Sequence, residues 1–213
     1  VSIKKDADFC ASFEESSIGL KVNLKALDKN LTFEIRTISR YLASNFICSI
    51  AILILEEMDI SSISKLTKEI KMPLGRLENI MKEDHTIYID YAHTPEALKC
   101  TLKEIKKNHQ EPLWCLFGCG GNRDKDKRSL MGKVAEKYAD YITLTSDNPR
   151  NEVEIDIIND ILSGMKNEDK IRVNSNRKKA IELTFTEMKN MKGGVLLIAG
   201  KGHEEYQEVN GLF

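Results

Sequence analysis

Three short stretches hold side chains that could do chemistry together. They are Gly118-Cys119-Gly120-Gly121-Asn122-Arg123, Asp147-Asn148-Pro149-Arg150 and Gly200-Lys201-Gly202-His203-Glu204. Between them they supply three fixed cations (Arg123, Arg150, Lys201), the Glu204 carboxylate and Gly-rich backbone whose amides can approach an anion. This mixture suits a small zwitterion with several carboxylates better than an apolar ligand, because guanidinium and ammonium groups recognise carboxylates through charge-assisted hydrogen bonds.

Such residues converge only if the elements before them do. Each stretch follows a short apolar run: Leu113 to Phe117, Tyr141 to Thr145 and Val195 to Ala199. In an open parallel sheet, the segments just past the strand ends line the ligand crevice, so one crevice can collect all three. From Thr86 onward the pattern repeats strand, turn, helix, with strands also expected at Thr86–Asp90 and Ile171–Val173. Helices are expected near 95–108, 128–138, 154–165 and 177–190. The first has Thr94 as cap and Pro95 at N1. The third carries Ile155, Ile158, Leu162 and Met165 on one face, with Asn151 and Glu154 as a capping pair. This alternation predicts an α/β fold with a doubly wound, mainly parallel sheet.

The part before it differs. The first thirty-five residues predict short strands and turns, with Val1–Ile3 and Gly19–Leu24 alternating as in hairpins. A helix follows, with Ile47, Ile50, Ala51, Ile54 and Met58 on one stripe. A second, capped by Ser61 or Ser62, runs to about Lys71. The polar Lys82-Glu83-Asp84 marks a boundary near 79–85, giving domains of 1–80 and 81–213. The start, without a cap or leader, suggests a piece of a longer protein.

Composition narrows the classes. Of 213 residues, 41% are hydrophobic and 31% charged, as in a globular protein. Lys+Arg at 32 against Asp+Glu at 33 leaves a net charge of -1, without the basic excess of a nucleic-acid binder. No run reaches the length of a membrane span, and Lys4, Lys5, Asp6 and Asp8 fall where a signal peptide would be apolar. Five cysteines, an odd number, suit a reducing cytosol. Cys115 and Cys119 lack a second ligand pair, so free thiols fit better than zinc.

Neither G-x-x-x-x-G-K-[ST] nor G-x-G-x-x-G occurs, so the chain offers no main phosphate cradle. Alone, each Gly cluster reads as a tight strand-to-helix turn. Their company of Arg123, Arg150 and Lys201 turns the reading toward anion binding. Asp90, at a strand end, suits either sugar hydroxyls or the dipole of the helix that follows. His93 suits a switch, a ligand or a turn, and Arg76 either phosphate or a surface ion pair. No Ser/His/Asp or Cys/His nucleophile arrangement is present.

From about Gly75 onward the chain resembles the MurE-type Mur ligases, ATP-dependent enzymes that add the third amino acid to the UDP-N-acetylmuramoyl dipeptide precursor of peptidoglycan. The resemblance rests on G-R-L-E (75–78), D-Y-A-H-T-P (90–95), G-C-G-G-N-R-D-K-D-K-R (118–128), D-N-P-R (147–150) and G-K-G-H-E (200–204), in that order. It implies a Rossmann-like carboxyl-terminal domain preceded by the tail of a central ATPase domain in residues 1–74. It also implies that Arg123, Asp147, Asn148, Arg150, Gly200 and Glu204 bind the incoming amino acid, meso-diaminopimelate or an isostere such as lanthionine. Asp90 would meet the ATP ribose, Arg76 the phosphates, and Asn45 and His93 the nucleotide. Of the family's asparagine pair, Asn45 fits the second, while Leu42 stands where the first is expected. The P-loop, the magnesium ligands and a carbamylated lysine are expected upstream of Val1, leaving this chain inactive alone and the whole enzyme cytoplasmic. The Arg150 fork would meet the distal carboxylate. Lysine would leave it unpaired, at a cost of roughly 2–5 kcal/mol.

Two other readings differ in testable ways. A folylpolyglutamate synthase shares the architecture and an Asp-x-Ala-His turn but has no need of D-N-P-R. A non-catalytic ligand-binding module would lack G-x-x-G-K-T in its parent gene.

Overall fold

The computed structural model describes residues 7–82, 85–191 and 193–213. Two compact units divide at Pro73/Leu74. The expected strand at Val1–Ile3 lies outside the described residues.

In the first unit, β1 (Phe9–Ser16), β2 (Gly19–Ala26) and β3 (Lys29–Ile35) form an antiparallel sheet in that order. Alternation decides its faces: Leu20, Val22, Leu24 and Ala26 point inward with Leu31, Phe33 and Ile35. Helix α1 (Arg40–Leu55) covers that face with Ala43, Ile47, Ile50, Ala51 and Ile54, which follow the helical period. Ser39 caps it by accepting from the Leu42 amide at 3.2 Å. Helix α2 (Ile60–Glu69) starts one turn edge earlier than expected. Its cap is Asp59, which accepts from the Ser62 amide at 3.0 Å and the Ser61 hydroxyl at 2.6 Å. A carboxylate at the N-cap both satisfies an orphan amide and meets the positive end of the helix dipole.

The second unit is a six-stranded sheet in the order β4-β5-β9-β6-β7-β8. Strand β4 (Glu78–Lys82) is antiparallel to β5 (His85–Asp90), and the remaining pairs are parallel. The β4 strand displaces the expected boundary. Lys82 pairs with His85, so β4 and β5 are partners within the second unit. After β5, helix α3 (Pro95–Asn108) leads to β6 (Leu113–Phe117), and α4 (Asp126–Tyr138) leads to β7 (Tyr141–Leu144). Helix α5 (Glu154–Leu162) and a 3-10 turn lead to β8 (Ile171–Val173). Helix α6 (Arg177–Asn190) then returns the chain, and β9 (Val195–Ala199) inserts between β5 and β6.

That return creates the crevice. Right-handed crossovers stepping outward and then back put α6 on the opposite face of the sheet from α3, α4 and α5. The loops after β5, β6, β7 and β9 therefore leave one edge at the point where strand order reverses. Strands β6 and β9 are apolar throughout because both faces are covered, with α6 packing on Trp114, Leu116 and Leu196.

Local expectations fared unevenly. Thr94 caps α3 at the Ala97 amide, with Pro95 at N1. The Asn151–Glu154 capping pair does not form: Val153 occupies the N-cap without a side-chain bond. The buried face of α5 is Ile157, Ile158 and Ile161, whereas Ile155 is half exposed. The helix begins at Glu154, as expected, but ends at Leu162, so Met165 lies beyond it.

Candidate functional site

Asn148 joins the three sequence stretches. Its Oδ1 accepts from Lys201 Nζ at 2.8 Å and from the Glu208 amide at 2.9 Å, and its Nδ2 donates to Glu204 Oε2 at 3.0 Å. Its backbone carbonyl accepts from the Gly121 amide at 2.9 Å. Asn148 is 5% exposed, so these bonds satisfy a buried amide that would otherwise carry a desolvation cost. One residue, through its side chain to the β9 loop and its carbonyl to the β6 loop, thus ties the three loops together.

Around it lie the charges. Lys201, buried, also reaches Glu204 Oε2 at 3.4 Å, and the Tyr91 hydroxyl donates to Glu204 Oε1 at 3.2 Å. Burial pushes the Glu204 carboxyl up, but hydrogen bonds from Asn148, Lys201 and Tyr91 and the Lys201 charge outweigh it, and the group stays below its ordinary range. It is therefore an anion near neutral pH. Asp147, buried, accepts from the Asn148 amide at 2.8 Å. Gly200 has φ +110, and a Cβ there would lie 2.7 Å from Asp147 Oδ2. Only glycine brings the β9 loop this close to the β7 loop. Arg123 is exposed at the crevice rim and has no ion-pair partner among the described residues.

Arg150 departs from the simplest expectation. Its Nε pairs with Glu208 at 2.9 Å, and its Nη1 donates to the Gly121 carbonyl at 2.9 Å. The backbone is pinned as well: the Arg150 amide donates to the Glu208 carbonyl at 3.1 Å, and the Asn210 amide to the Arg150 carbonyl at 2.9 Å. The guanidinium is already paired and its side chain is 22% exposed, so lysine would not leave a lone buried cation. The expected penalty against lysine shrinks accordingly. Of five N–H donors, three remain, one on Nη1 and two on Nη2.

Of the residues assigned to nucleotide, Asp90, Arg76 and His93 lie around Tyr91 in the second unit. Asp90 Oδ2 accepts from the Leu77 amide at 2.8 Å, and Oδ1 from the Ala92 amide at 3.0 Å and the Thr101 hydroxyl at 3.1 Å. It holds the β4 and β5 turns together, and Oδ2, with one bond, keeps acceptor capacity for a sugar hydroxyl. Arg76 is exposed, with its guanidinium 4.7 Å from the Tyr91 ring centroid. It reaches that place because Gly75, at φ +64, lies against Gly202 and His203, where any Cβ would clash with backbone. His93 is exposed, with Nδ1 2.8 Å from the Tyr91 carbonyl and its ring edge-on to Tyr91. Asn45 is exposed on α1 of the first unit, and Leu42 contributes its amide to the Ser39 cap. Among the described residues, no group of three His, Cys, Asp or Glu side chains is arranged to hold a metal ion. Burial pushes the Cys115 and Cys119 thiols up to about 12, which keeps them protonated.

Several supporting residues escape sequence reasoning. Tyr91 contacts Arg76 with its ring and Glu204 with its hydroxyl. Arg128, fully buried, binds Glu152 through both Nη atoms at 2.9 Å, Asp160 at 2.8 Å and the Gly120 carbonyl at 3.3 Å. Glu152 in turn accepts from the Asn122 amide, and Asn122 Oδ1 from the Asn151 amide at 3.0 Å. Asn151 and Glu154 brace loops rather than capping a helix, since Glu154 accepts from the Ser146 hydroxyl at 3.0 Å. Arg128 sat in a charged run that reads as solvated loop, and Glu208 lies outside every motif.

Comparison with known proteins gives concordant matches. The family profile "Mur ligase, glutamate ligase domain" matches residues 75–202. A UDP-N-acetylmuramoyl-L-alanyl-D-glutamate--2,6-diaminopimelate ligase of Buchnera aphidicola (subsp. Acyrthosiphon pisum, strain APS) is 45% identical over 172 residues, 80% of this chain and 34% of the relative. The ligase of that name from Aquifex aeolicus (strain VF5) is 39% identical over 201 residues, 94% of this chain and 41% of the relative. The chain thus spans well under half the length of these relatives. A solved structure of a ligase with this name superposes with a TM-score of 0.64 at 31% identity, covering 98% of this chain and 43% of that one. A Mycobacterium tuberculosis folylpolyglutamate synthase, complexed with ADP and AMPPCP, gives 0.76 at 18% identity, covering 92% and 46%. That likeness shows the fold alone.

Proposed function

The chain belongs to the Mur ligase family, in the company of MurE-type relatives, and from that premise we propose that it supplies the amino-acid-binding part of a cytoplasmic ATP-dependent ligase. The reaction joins meso-diaminopimelate, or an isostere such as lanthionine, to UDP-N-acetylmuramoyl-L-alanyl-D-glutamate. The observation that carries the reading is the crevice around Asn148. It offers free guanidinium donors on Arg123 and Arg150 for carboxylates and an ionised Glu204 for an ammonium. An amino acid with a zwitterionic head at each end matches that layout, with one amine left to attack the acceptor.

ATP, when bound, supplies the phosphoryl group that activates the acceptor carboxylate. This chain's part is to bind and orient. Arg76 presents an exposed guanidinium beside Tyr91, and Asp90 retains lone pairs for a ribose hydroxyl. Asn45 and His93 stand on exposed surfaces open to the rest of the nucleotide. Fixing the attacking amine in a near-attack geometry replaces an entropic cost of several kcal/mol.

Phosphate release by the intact ligase tests the reading. Turnover is expected with the UDP-linked dipeptide and meso-diaminopimelate. Turnover with a folate and glutamate instead would transfer the assignment to the folylpolyglutamate synthase type, which shares the fold. ATP-independent binding without turnover would favour a binding module.

A further inference from the structure

Resting on that reading, we infer that Glu208 is a specificity-determining residue, a built-in counter-anion that sets how strongly the Arg150 subsite prefers a carboxylate to an ammonium. The Glu208 backbone is held at both of its polar groups. Its own amide is bound to Asn148 Oδ1 at 2.9 Å and its carbonyl accepts from the Arg150 amide at 3.1 Å, with Val209 bridged to Arg150. The segment after G-K-G-H-E is thereby stapled to the D-N-P-R loop, and the ion pair at 2.9 Å follows from the staple.

Two consequences oppose each other. By occupying Nε, Glu208 fixes the guanidinium together with the Gly121 carbonyl on Nη1, which leaves Nη2 and one Nη1 hydrogen for a ligand. By cancelling much of the Arg150 charge, it weakens the pull on a distal carboxylate and lowers the repulsion of a distal ammonium. The nearby Lys201 and Glu204 also cancel, at 3.4 Å, while Arg123 is an exposed cation of the crevice without an ion-pair partner among the described residues. A near-neutral far end fits a zwitterionic head, which carries both charges, and tolerates the bare ammonium of lysine more than an unpaired arginine would.

Glu208→Gln separates these effects, because the amide keeps an acceptor for Nε and removes the charge. In the intact ligase, the ratio of kcat/KM for meso-diaminopimelate to that for L-lysine is expected to rise about ten-fold in E208Q, in line with coupling energies of close charge pairs. Glu208→Ala, which frees the guanidinium, should instead raise the diaminopimelate KM. A ratio is insensitive to partial unfolding, which lowers both terms alike. An unchanged or lower ratio in E208Q, with Arg150→Ala still raising the diaminopimelate KM, overturns the inference and leaves the site reading standing. Absence of any Arg150→Ala effect on diaminopimelate overturns the site reading itself.

Discussion

Arg128 is the perturbation whose cost the structure defines best. Its guanidinium is fully buried, bidentate to Glu152, and bonded to Asp160 and the Gly120 carbonyl. Arg128→Ala would strand Glu152, whose side chain is 17% exposed, and leave the Gly120 carbonyl without that donor. Breaking a buried ion pair costs about 3–5 kcal/mol. The lower end applies, because Asp160 is 48% exposed and rehydrates, Lys125 stays 3.4 Å from Glu152, and the Arg128 Nε has no partner to lose. A loss of about 3 kcal/mol corresponds to a urea midpoint lowered by roughly 1.5–2 M for a unit of this size. Trp114, the single tryptophan, is buried in β6 and stacked on Tyr141 at 4.1 Å, so its fluorescence reports the second unit alone. Arg128→Lys keeps the charge without the fork and should lose about half as much. A midpoint within about 0.3 M of wild type for the alanine variant would refute the reasoning.

Other consequences are equally direct. Tyr91→Phe removes the bond to Glu204 but keeps the ring under Arg76, so it should raise the amino-acid KM several-fold, about 1 kcal/mol, with ATP KM unchanged; Tyr91→Ala should affect both. Gly200→Ala places a Cβ against Asp147 in a left-handed backbone and should cost about 1–3 kcal/mol in thermal unfolding. Arg128 and the Asn122 amide pull the Glu152 carboxyl from 4.5 to about 2. Its folded value is depressed, so its stabilisation is complete above the unfolded value and is lost as pH falls from about 4.5 towards 2. Trp114-monitored stability should decline over that window, less steeply in Arg128→Ala.

What the sequence discloses here follows from the range of each interaction. The strands Leu113–Phe117 and Val195–Ala199 are apolar because both faces are covered, and that requirement is written in consecutive residues. The convergence of the three loops is also legible, since chain order and handedness leave one edge for them. Strand β4 is not, because Glu-Asn-Ile-Met-Lys lacks clear alternation and is held by its β5 partner. Helix starts slip where several capping residues compete, as Asp59 does with Ser61 and Ser62. The Arg150–Glu208 pair, 58 positions apart, depends on the backbone staple and has no local signature.

The most direct test of the site is the kinetic effect of Arg150→Ala in the intact ligase, measured separately for amino acid and ATP. The free Nη donors of Arg150 are assigned to a substrate carboxylate, so the meso-diaminopimelate KM should rise, or its kcat/KM fall, by about ten-fold or more while the ATP KM stays within about two-fold of wild type. A variant whose defect lies in ATP binding alone, with diaminopimelate used as well as before, would contradict the account.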